Sequence, residues 1–325
     1  MTQKRALAPP PPVREGVGPS RVSLPPGPWP TFLDFLTARF PGVAAGVWQQ
    51  RMAEGLVIDA FGQAVRGDQA YAQQNHLYYY RDLHIPGGEK RSAADAPIVW
   101  KDAHLVVADK PHFLAVTPVG AYVQESLLVR LKNTLRIDTL VPLHRIDRDT
   151  AGLVLFCVIP AERDAYQQLF RQRSMDKQYE AIAPLQVPSS KSGAAQDGWI
   201  FPLTRNSRIE PGEPFFRQRE VPGTPNSQTH IALLEQQGRL GRYRLNPVTG
   251  KKHQLRVHMQ ALGLPIENDR MYGRLAALPV AETEADNPAR PLQLLAQALA
   301  FTDPVTGEKR HFESGFSLDF GLCEP

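Results

Sequence analysis

The chain has 325 residues, of which 42% are hydrophobic and 22% are charged, and its formal net charge is +4. This composition is that of a globular protein with enough apolar content for one large domain and a smaller one. No apolar run approaches the ~18 residues that a membrane span requires, and none follows the N-terminus as in a signal peptide. The two cysteines, Cys157 and Cys323, are too few for a disulfide framework or a four-cysteine zinc site. We therefore expect a cytoplasmic protein.

Prolines crowd the start of the chain and include an unbroken run from Pro9 to Pro12. Such a segment is typical of an extended, mobile tail, so residues 1–28 are predicted to be disordered. Thr31 can cap the first predicted helix. The apolar residues of that helix repeat at helical spacing: Phe32, Phe35, Leu36 and Phe40. A second helix is predicted over 44–54.

Short apolar runs typical of strands begin at residue 98. The predicted elements that follow are strands over 98–100, 105–108 and 153–158, a helix over 161–173, and strands over 177–183, 229–234 and 242–245. Residues 186–227 are rich in proline, serine and glycine, and this composition predicts a surface insertion. A mixed, largely antiparallel set of strands with few helices indicates an α+β domain over 95–325.

Aromatic and basic residues are interleaved within the predicted insertion. They are Trp199, Phe201, Arg205, Arg208, Phe215, Phe216, Arg217 and Arg219. This mixture suits stacking on unpaired nucleic-acid bases. It is equally compatible with side chains that cover the edge of a sheet.

A cluster of basic and acidic residues lies directly before one of the predicted strands. Residues 143–155 are Leu-His-Arg-Ile-Asp-Arg-Asp-Thr-Ala-Gly-Leu-Val-Leu. Because polar side chains stay in water unless they are paired, the junction indicates a site at the end of a strand. A protein kinase would need an uninterrupted His-Arg-Asp, a glycine-rich phosphate loop and an activation segment after Asp-Phe-Gly. Ile146 interrupts the first motif and Asp319 lies near the chain end, so the sequence argues against a kinase.

Several motifs, in order along the chain, resemble those of the RluA-type pseudouridine synthases. The run over 143–155 resembles the signature His-Arg-Leu-Asp-x-x-Thr-Ser-Gly-Leu of that family. The Lys-Pro and Val-x-Pro within 109–118 resemble the first motif, and the Lys-Gln-Tyr of 177–179 resembles a Lys-x-Tyr element. The segment 249–258 resembles Thr-Gly-Arg-x-His-Gln-Ile-Arg-x-His. Residues 265–273 resemble a closing element that we expect to be structural.

The resemblance implies that the protein isomerises uridine in RNA to pseudouridine, without a cofactor or a metal. Asp147 would be the catalytic carboxylate, which either attacks the sugar or takes a ribose proton, and Arg256 would keep it ionised. Tyr179 would lie against the target base and Leu255 would line its pocket. Arg145 would fill the gap that the extruded base leaves. The remaining substrate-binding residues are expected to be His144, which orients its loop, and Lys251, Lys252 and His253.

The segment from about Pro30 to Leu83 resembles the S-four-type RNA-binding module that often precedes the catalytic domain of these synthases. The resemblance rests on two helices, a Glu-Gly-x-Val sequence, a turn and a closing hairpin, and it predicts a small α+β module over 29–90. Most of the usual basic residues are missing from the second helix, where Arg51 is the nearest. The module is therefore either a working RNA binder or a degenerate packing unit.

Unopposed positive charge between Arg239 and His258 points to an RNA partner, because a phosphate backbone attracts such a stretch. A solvated basic face would give the same pattern. We expect ribosomal RNA or, less favoured, transfer RNA as substrate, and a monomer without an obligate protein partner. The main alternative is an inactive RNA-binding or ribosome-assembly factor with the same fold, in which Asp147, Tyr179 or Arg256 would be replaced. A base-releasing glycosylase is a third reading.

Overall fold

The computed structural model describes residues 7–14, 16–73, 75–81, 96–118, 125–185, 199–214, 216–273 and 287–323. The described α-helices are α1 (Phe32–Arg39), α2 (Ala45–Ala53), α3 (Leu127–Leu135), α4 (Arg163–Arg171) and α5 (Gln254–Ala261). The described strands are β1 (Ser20–Ser23), β2 (Val57–Asp59), β3 (His76–Tyr79), β4 (Ile98–Lys101), β5 (Leu105–Lys110), β6 (Val141–Pro142), β7 (Ala151–Cys157), β8 (Asp176–Pro184), β9 (Leu203–Pro211), β10 (Gln218–Val221), β11 (Ser227–Gln237), β12 (Leu240–Pro247), β13 (Leu294–Thr302) and β14 (Lys309–Glu313). None of these helices is long and apolar enough to cross a bilayer.

The chain divides into two compact units. The first comprises Met1–Lys90 together with the short pieces Pro118–Glu125 and Val129–Asp138. The second comprises Arg91–Thr117, Ser126–Leu128 and Thr139–Pro325. The predicted division into a small module over 29–90 and a catalytic domain over 95–325 stays a prediction.

Helix α1 begins where polar groups of two residues satisfy each other. The Thr31 hydroxyl accepts a hydrogen bond from the Asp34 N–H at 3.2 Å, and the Asp34 carboxylate accepts one from the Thr31 N–H at 3.0 Å. The apolar face of the helix is buried through Phe32, Phe35 and Leu36. It packs with α2 and with an antiparallel sheet in the order β1-β3-β2. Both predicted helices of this region are confirmed to within a few residues.

The expectation that residues 1–28 form a disordered tail is wrong for Ser20–Ser23. This segment is β1, which runs antiparallel to β3 from the pair Ser20 and Tyr79 to the pair Ser23 and His76. Val22, in the middle of the strand, is buried. The surrounding prolines hide a strand whose partner lies much later in the chain, because pairing is not a local property. The likeness of this unit to an S-four-type module stays a prediction.

Within the described residues, the large sheet of the second unit has eleven strands. Nine follow the order β10-β9-β11-β12-β8-β13-β7-β5-β4, while β14 pairs with β13 and β6 pairs with β7. Each described pairing is antiparallel except that of β13 with β7, where Leu295 lies opposite Ala151. The predicted α+β fold with a mixed, largely antiparallel sheet is confirmed.

Two clusters of buried side chains hold helices against this sheet. Helix α5 contributes Leu255 and Met259 to one cluster, in which Tyr243 of β12 is fully buried. Helix α4 contributes Tyr166 to the other, and its hydroxyl donates to the Asp303 carboxylate at 3.0 Å. Burying each large apolar side chain stabilises the fold by about 1.5–3 kcal/mol. The clusters thereby hold α5 and β7 in place in the fold.

The predicted surface insertion over 186–227 is wrong for its described part. Residues 186–198 and 215 lie outside the described residues, but the rest contains β9, β10 and the start of β11, which belong to the large sheet. Along β9 the buried Ser207 and Ile209 alternate with the partly exposed Arg208 and Glu210. That alternation is the signal of a strand, and the proline and serine content around it obscures it.

Several of the interleaved aromatic and basic side chains of 199–219 pack on the large sheet or form ion pairs on it. The Phe201 ring packs against that of Tyr243, with 5.3 Å between the ring centroids. Arg205 on β9 forms an ion pair with Glu220 on β10, and Arg208 forms one with Glu210. These contacts favour the second of the two readings, in which the aromatic and basic residues cover the sheet.

Gly152 is required where β7 passes β13. Its φ is +110°, a conformation that L side chains rarely adopt, and a Cβ there would lie 2.3 Å from the Ala296 carbonyl oxygen. The glycine therefore lets the two backbones approach. The contact between Gly152 and Ala296 fixes the position where the polar loop over 143–150 ends and β7 begins.

Candidate active site

The loop from Leu143 to Thr150 is fastened through its backbone carbonyl groups. The buried Lys110 donates from Nζ to the Arg148 carbonyl at 3.0 Å, and His112 donates from Nδ1 to the Asp149 carbonyl at 2.6 Å. Burial lowers the pKa of Lys110 to about 7. Both donors lie at the end of β5 or just after it, within the segment 109–118 that resembles the first motif of the family. This segment therefore positions the loop that contains Asp147.

His144 ties the start of the same loop to β7. Its Nε2 accepts a hydrogen bond from the backbone N–H of Leu155 at 3.1 Å, and its ring lies 5.1 Å from that of Phe170. Burial, together with the charge of Lys177, lowers the pKa of His144 to about 3. The imidazole is therefore neutral at pH 7 and accepts at Nε2, so it orients the loop and is unsuited to transferring protons.

Asp147 meets Arg256 at the edge of a cavity. The Nη1 atom of Arg256 lies 3.3 Å from Oδ2 of Asp147. The arginine side chain is 2% exposed, whereas that of the aspartate is 30% exposed. The ion pair orients the carboxylate from within the protein and leaves part of it open to the cavity.

Asp269 holds the same guanidinium from the opposite side. Its two carboxylate oxygens accept from Nε and Nη2 of Arg256, each at 2.7 Å, and backbone N–H groups of Met271 and Tyr272 donate to Oδ1. Burial alone would raise the pKa of Asp269, yet the adjacent guanidinium and these N–H groups lower it. Burial would likewise lower the pKa of Arg256, but Asp269 and Asp147 raise it. The arginine is thus a permanent, fixed cation between two carboxylates.

The cavity beside Asp147 has a volume of about 440 Å³, which is within the usual size for a small-ligand site. Leu255 forms part of its wall, as does the phenol ring of Tyr179 on β8. Burial, and to a smaller extent the charge of Asp147, raises the pKa of Tyr179, so the phenol stays protonated. An aromatic face, an aliphatic side chain and a carboxylate at the rim suit a planar ring attached to a sugar.

The loop before α5 is held by the side chain of Gln254. Its Oε1 accepts from the Thr249 hydroxyl at 2.7 Å and from the Lys251 N–H at 3.0 Å. Its Nε2 donates to the Gln228 carbonyl and to the Thr229 hydroxyl, each at 2.9 Å. This amide therefore fixes the loop that presents Lys251 to the cavity.

Most of the predicted site residues come together around this cavity. Those that line it are His144, Arg145, Asp147, Tyr179, Lys251, His253, Leu255 and Arg256. Lys252 is exposed and is not part of the lining. Among the predicted cations of the lining, Arg145 and Lys251 are exposed, so they can meet a ligand that approaches from solvent.

The basic stretch from Arg239 to His258 is not an unopposed positive face. Arg242 pairs with Glu180 and Glu235 from neighbouring strands, at 3.4 and 3.3 Å. Arg256 is buried between its two carboxylates. Acidic partners from other parts of the chain neutralise these cations, and the order of residues along the chain does not reveal them.

Asp269 and Lys177 are among the residues near the cavity that the sequence does not predict as site residues. Asp269 was expected to be structural only, and no local signal links it to Arg256. Lys177 lines the cavity, and its Nζ lies 3.4 Å from the Thr249 carbonyl oxygen. The sequence contains a signal for Lys177. Residues two apart on a strand lie on the same face, and Tyr179 is two residues further along β8.

Comparison with known proteins agrees with the motifs. The family model described as "RNA pseudouridylate synthase" matches residues 104–261. Ribosomal large subunit pseudouridine synthase C of Escherichia coli (strain K12) is 33% identical over 240 residues, which cover 73% of this chain and 71% of that protein. Dual-specificity RNA pseudouridine synthase RluA of Pasteurella multocida (strain Pm70) is 31% identical over 219 residues, covering 67% and 91%.

A solved structure gives the same fold. Human RNA Pseudouridylate Synthase Domain Containing 1 superposes with a TM-score of 0.52 at 20% sequence identity, covering 68% of this chain and 84% of that one. Sequence similarity and fold thus agree with the motifs that surround the cavity. The chain belongs to the RluA-type RNA pseudouridine synthase family, whose members convert uridine in RNA to pseudouridine.

Proposed function

We propose that this protein isomerises a specific uridine in the RNA of the large ribosomal subunit, with Asp147 as the reacting carboxylate. The single observation that carries the assignment is the contact of Asp147 with the buried Arg256 at the rim of a cavity lined by Tyr179 and Leu255. The choice of RNA is supported by the name of the Escherichia coli relative. A cytoplasmic location and a monomeric state stay predictions.

The reaction breaks the bond from N1 of uracil to C1′ of the ribose and forms one from C5 to C1′. The C5 proton is released and N1 gains a proton, so the change is an isomerisation and needs no oxidant. Asp147 acts at the ribose, because its open side faces the cavity while Arg256 holds its other side. A fixed cation beside a carboxylate keeps that group aligned as the reaction proceeds.

Tyr179 and Leu255 hold the detached base between an aromatic face and an aliphatic side chain. A detached uracil has to stay in the cavity while it turns, and contact of its faces with an aromatic ring and an aliphatic side chain allows that rotation. The protonated phenol adds no charge to the cavity. Retention of the base by these two residues separates the proposed isomerisation from a glycosylase reaction, which would release it.

Arg145 replaces the target base in the RNA stack. Extruding a base costs a few kcal/mol of stacking, and a planar guanidinium can restore part of that stacking. Arg145 is exposed at the cavity and makes no ion pair with a described residue. Lys251 and Lys252 bind backbone phosphate near the extruded nucleotide, and His253 completes that side of the cavity.

Asp147→Asn tests the assignment directly. The amide keeps the shape of the side chain but cannot attack the sugar or accept its proton. We expect RNA binding to be retained within a factor of about three and pseudouridine formation to be abolished, as measured by mapping pseudouridine after single-turnover incubation. Asp138→Asn, which changes an exposed carboxylate outside the cavity, should behave as wild type. Substantial activity of Asp147→Asn would refute the role.

The RNA target is tested by mapping pseudouridines in total RNA from cells with and without this protein. We expect one or a few positions in large-subunit ribosomal RNA to lose the modification, and Asp147→Asn not to restore them. Loss confined to transfer RNA would contradict the proposed substrate. No change at any position would support the inactive RNA-binding factor instead.

A further inference from the structure

His253 lies beside the Asp147 carboxylate on the side that Arg256 does not contact. Its Nε2 is 3.7 Å from Oδ1 of Asp147, whereas Arg256 approaches Oδ2. The imidazole is well anchored, with only 7% of its side chain exposed. It precedes α5 in a left-handed backbone conformation, with φ at +55°. The reacting carboxylate is therefore flanked by two nitrogen groups, one on each oxygen.

Tyr272 determines which nitrogen of His253 carries the proton. The backbone N–H of Gln218 donates to the Tyr272 hydroxyl oxygen at 2.7 Å, and a peptide N–H can only donate. The same oxygen lies 2.8 Å from Nδ1 of His253. Within the described residues no other acceptor contacts the tyrosine hydroxyl, so the arrangement in which its proton also makes a hydrogen bond is the one that donates it to Nδ1. A neutral imidazole that accepts at Nδ1 carries its own proton on Nε2.

The opposite tautomer would be unfavourable. It would place a proton on Nδ1 and turn the lone pair of Nε2 towards the negative charge of Asp147. Burial lowers the pKa of His253, and Arg256 and Lys252 act in the same direction against the raising effect of Asp147. The imidazole is thus neutral at pH 7 and presents an N–H group to the carboxylate.

Tyr272 is held firmly enough to impose this arrangement. Its backbone N–H donates to Asp269 at 2.9 Å, and the guanidinium carbon of Arg256 lies 5.2 Å from the centre of its ring. The carboxylate of Asp269 therefore positions both the arginine and the tyrosine. Arg256 contacts Oδ2 of Asp147 directly. Tyr272 contacts His253, which lies near the other oxygen, Oδ1.

We propose that His253 is a positioning residue for the reaction, which holds Oδ1 of Asp147 through Nε2–H while Tyr272 fixes its tautomer. The proposal rests on the proposed function, in which Asp147 acts at the ribose. Hydrogen bonds between catalytic groups are commonly long in the unliganded enzyme and tighten in the complex with substrate. The 3.7 Å separation is expected to close in this way, and both carboxylate oxygens are then oriented.

The tautomer can be measured without any RNA. Full-length protein is labelled with ¹⁵N-histidine, and the signals of His253 are identified by their loss in His253→Gln. We expect a protonated Nε2 and an unprotonated Nδ1 in the wild type, and a mixture of tautomers in Tyr272→Phe. A proton on Nδ1 of His253 in the wild type would overturn the proposal, whatever the enzyme modifies.

Kinetics test the consequence. With an RNA that the wild type modifies, Tyr272→Phe and His253→Leu should slow the single-turnover rate roughly 10- to 100-fold with little change in RNA affinity. His253→Gln should recover most of that loss, because its amide N–H can donate from a similar position. Tyr243→Phe is the matched control, since it removes a buried hydroxyl that donates to the Pro184 carbonyl outside the cavity.

The outcomes separate the two proposals. Wild-type rates in both Tyr272→Phe and His253→Leu would overturn the positioning role, and so would a failure of His253→Gln to exceed His253→Leu. A wild-type protein that modifies no RNA would defeat the proposed function, and the tautomer measurement would still decide the state of His253.

Discussion

Asp269 is the single residue on which the geometry of the site depends most, although it does not face the substrate. It pairs with both Nε and Nη2 of Arg256, and its Oδ1 also receives the N–H groups of Met271 and Tyr272. Without this carboxylate, the buried guanidinium would retain only the partly exposed Asp147 as an ion-pair partner among the described residues. A fixed second carboxylate therefore keeps the arginine aimed at the first.

Asp269→Asn should reveal this role through pH. The folded-state pKa of Asp269 is lowered, so its ionised form stabilises the protein above its ordinary pKa of about 4, and this stabilisation is lost as pH falls further. The amide leaves Arg256 with less compensating charge, and we expect a loss of about 3–5 kcal/mol of unfolding free energy at pH 7. The unfolding free energy of the variant, measured by urea unfolding between about pH 7 and pH 3, should fall less steeply with decreasing pH than that of the wild type. An equally steep fall in the variant and the wild type would contradict the role of the ionised Asp269 in stability.

At the scale of elements, the crossing of β7 and β13 decides where the polar loop ends. The two strands pair in parallel only over Leu295 and Ala296 of β13, opposite Ala151 and Gly152 of β7. At that point the backbone of Ala296 occupies the space where a side chain on Gly152 would lie. The glycine of the central motif is thus explained by packing between strands and has no chemical role of its own.

Gly152→Ala should destabilise the protein by at least about 2 kcal/mol, because strain at positive φ adds to a backbone clash. The midpoint of urea unfolding, with its slope unchanged, measures this loss. Gly307→Ala is the matched control, since Gly307 also has a positive φ of +75° but nothing lies within 4 Å of its added Cβ. It should lose only about 1 kcal/mol. Equal losses in the two variants would rule out the close approach.

At the scale of the whole molecule, the net charge of +4 says little about RNA binding. Several cations along the chain are already paired with carboxylates, among them Arg205, Arg242 and Arg310. The exposed cations at the proposed RNA contact are fewer, and they include Arg145, Lys251 and Lys252. Affinity should therefore depend on these particular positions.

Salt titration tests that view. Binding of phosphates by lysine and arginine releases counterions, so the logarithm of the affinity should fall linearly with the logarithm of the salt concentration. Replacing Lys251 and Lys252 together by Gln should reduce the slope by about 1 for each phosphate that the variant no longer neutralises. Lys309→Gln, at an exposed position of β14 outside the cavity, should leave the slope unchanged. A wild-type slope in the double variant would exclude these lysines as phosphate ligands.

The sequence by itself determined the family and the α+β class, and it named eight of the residues that line the cavity. It could do so because these features are encoded locally. The four residues from Thr31 to Asp34 contain their own capping signal, and the motifs around Asp147, Tyr179 and Arg256 each occupy a few consecutive positions. The similarity of such short runs to the motifs of a family can be recognised without knowing how the runs pack together in the folded protein.

Only the tertiary structure decided which groups are partners. The pairing of β1 with β3, the place of β9 and β10 in the large sheet, and the carboxylates that neutralise Arg242 and hold Arg256 all join residues that are not neighbours in the chain. Composition misled at 1–28 and at 186–227, because strands are completed by hydrogen bonds to distant segments and prolines nearby do not prevent them. The tautomer of His253 is set in the same way, by Tyr272 and Gln218 together. Contacts of this kind depend on the folded backbone, and so no local pattern contains them.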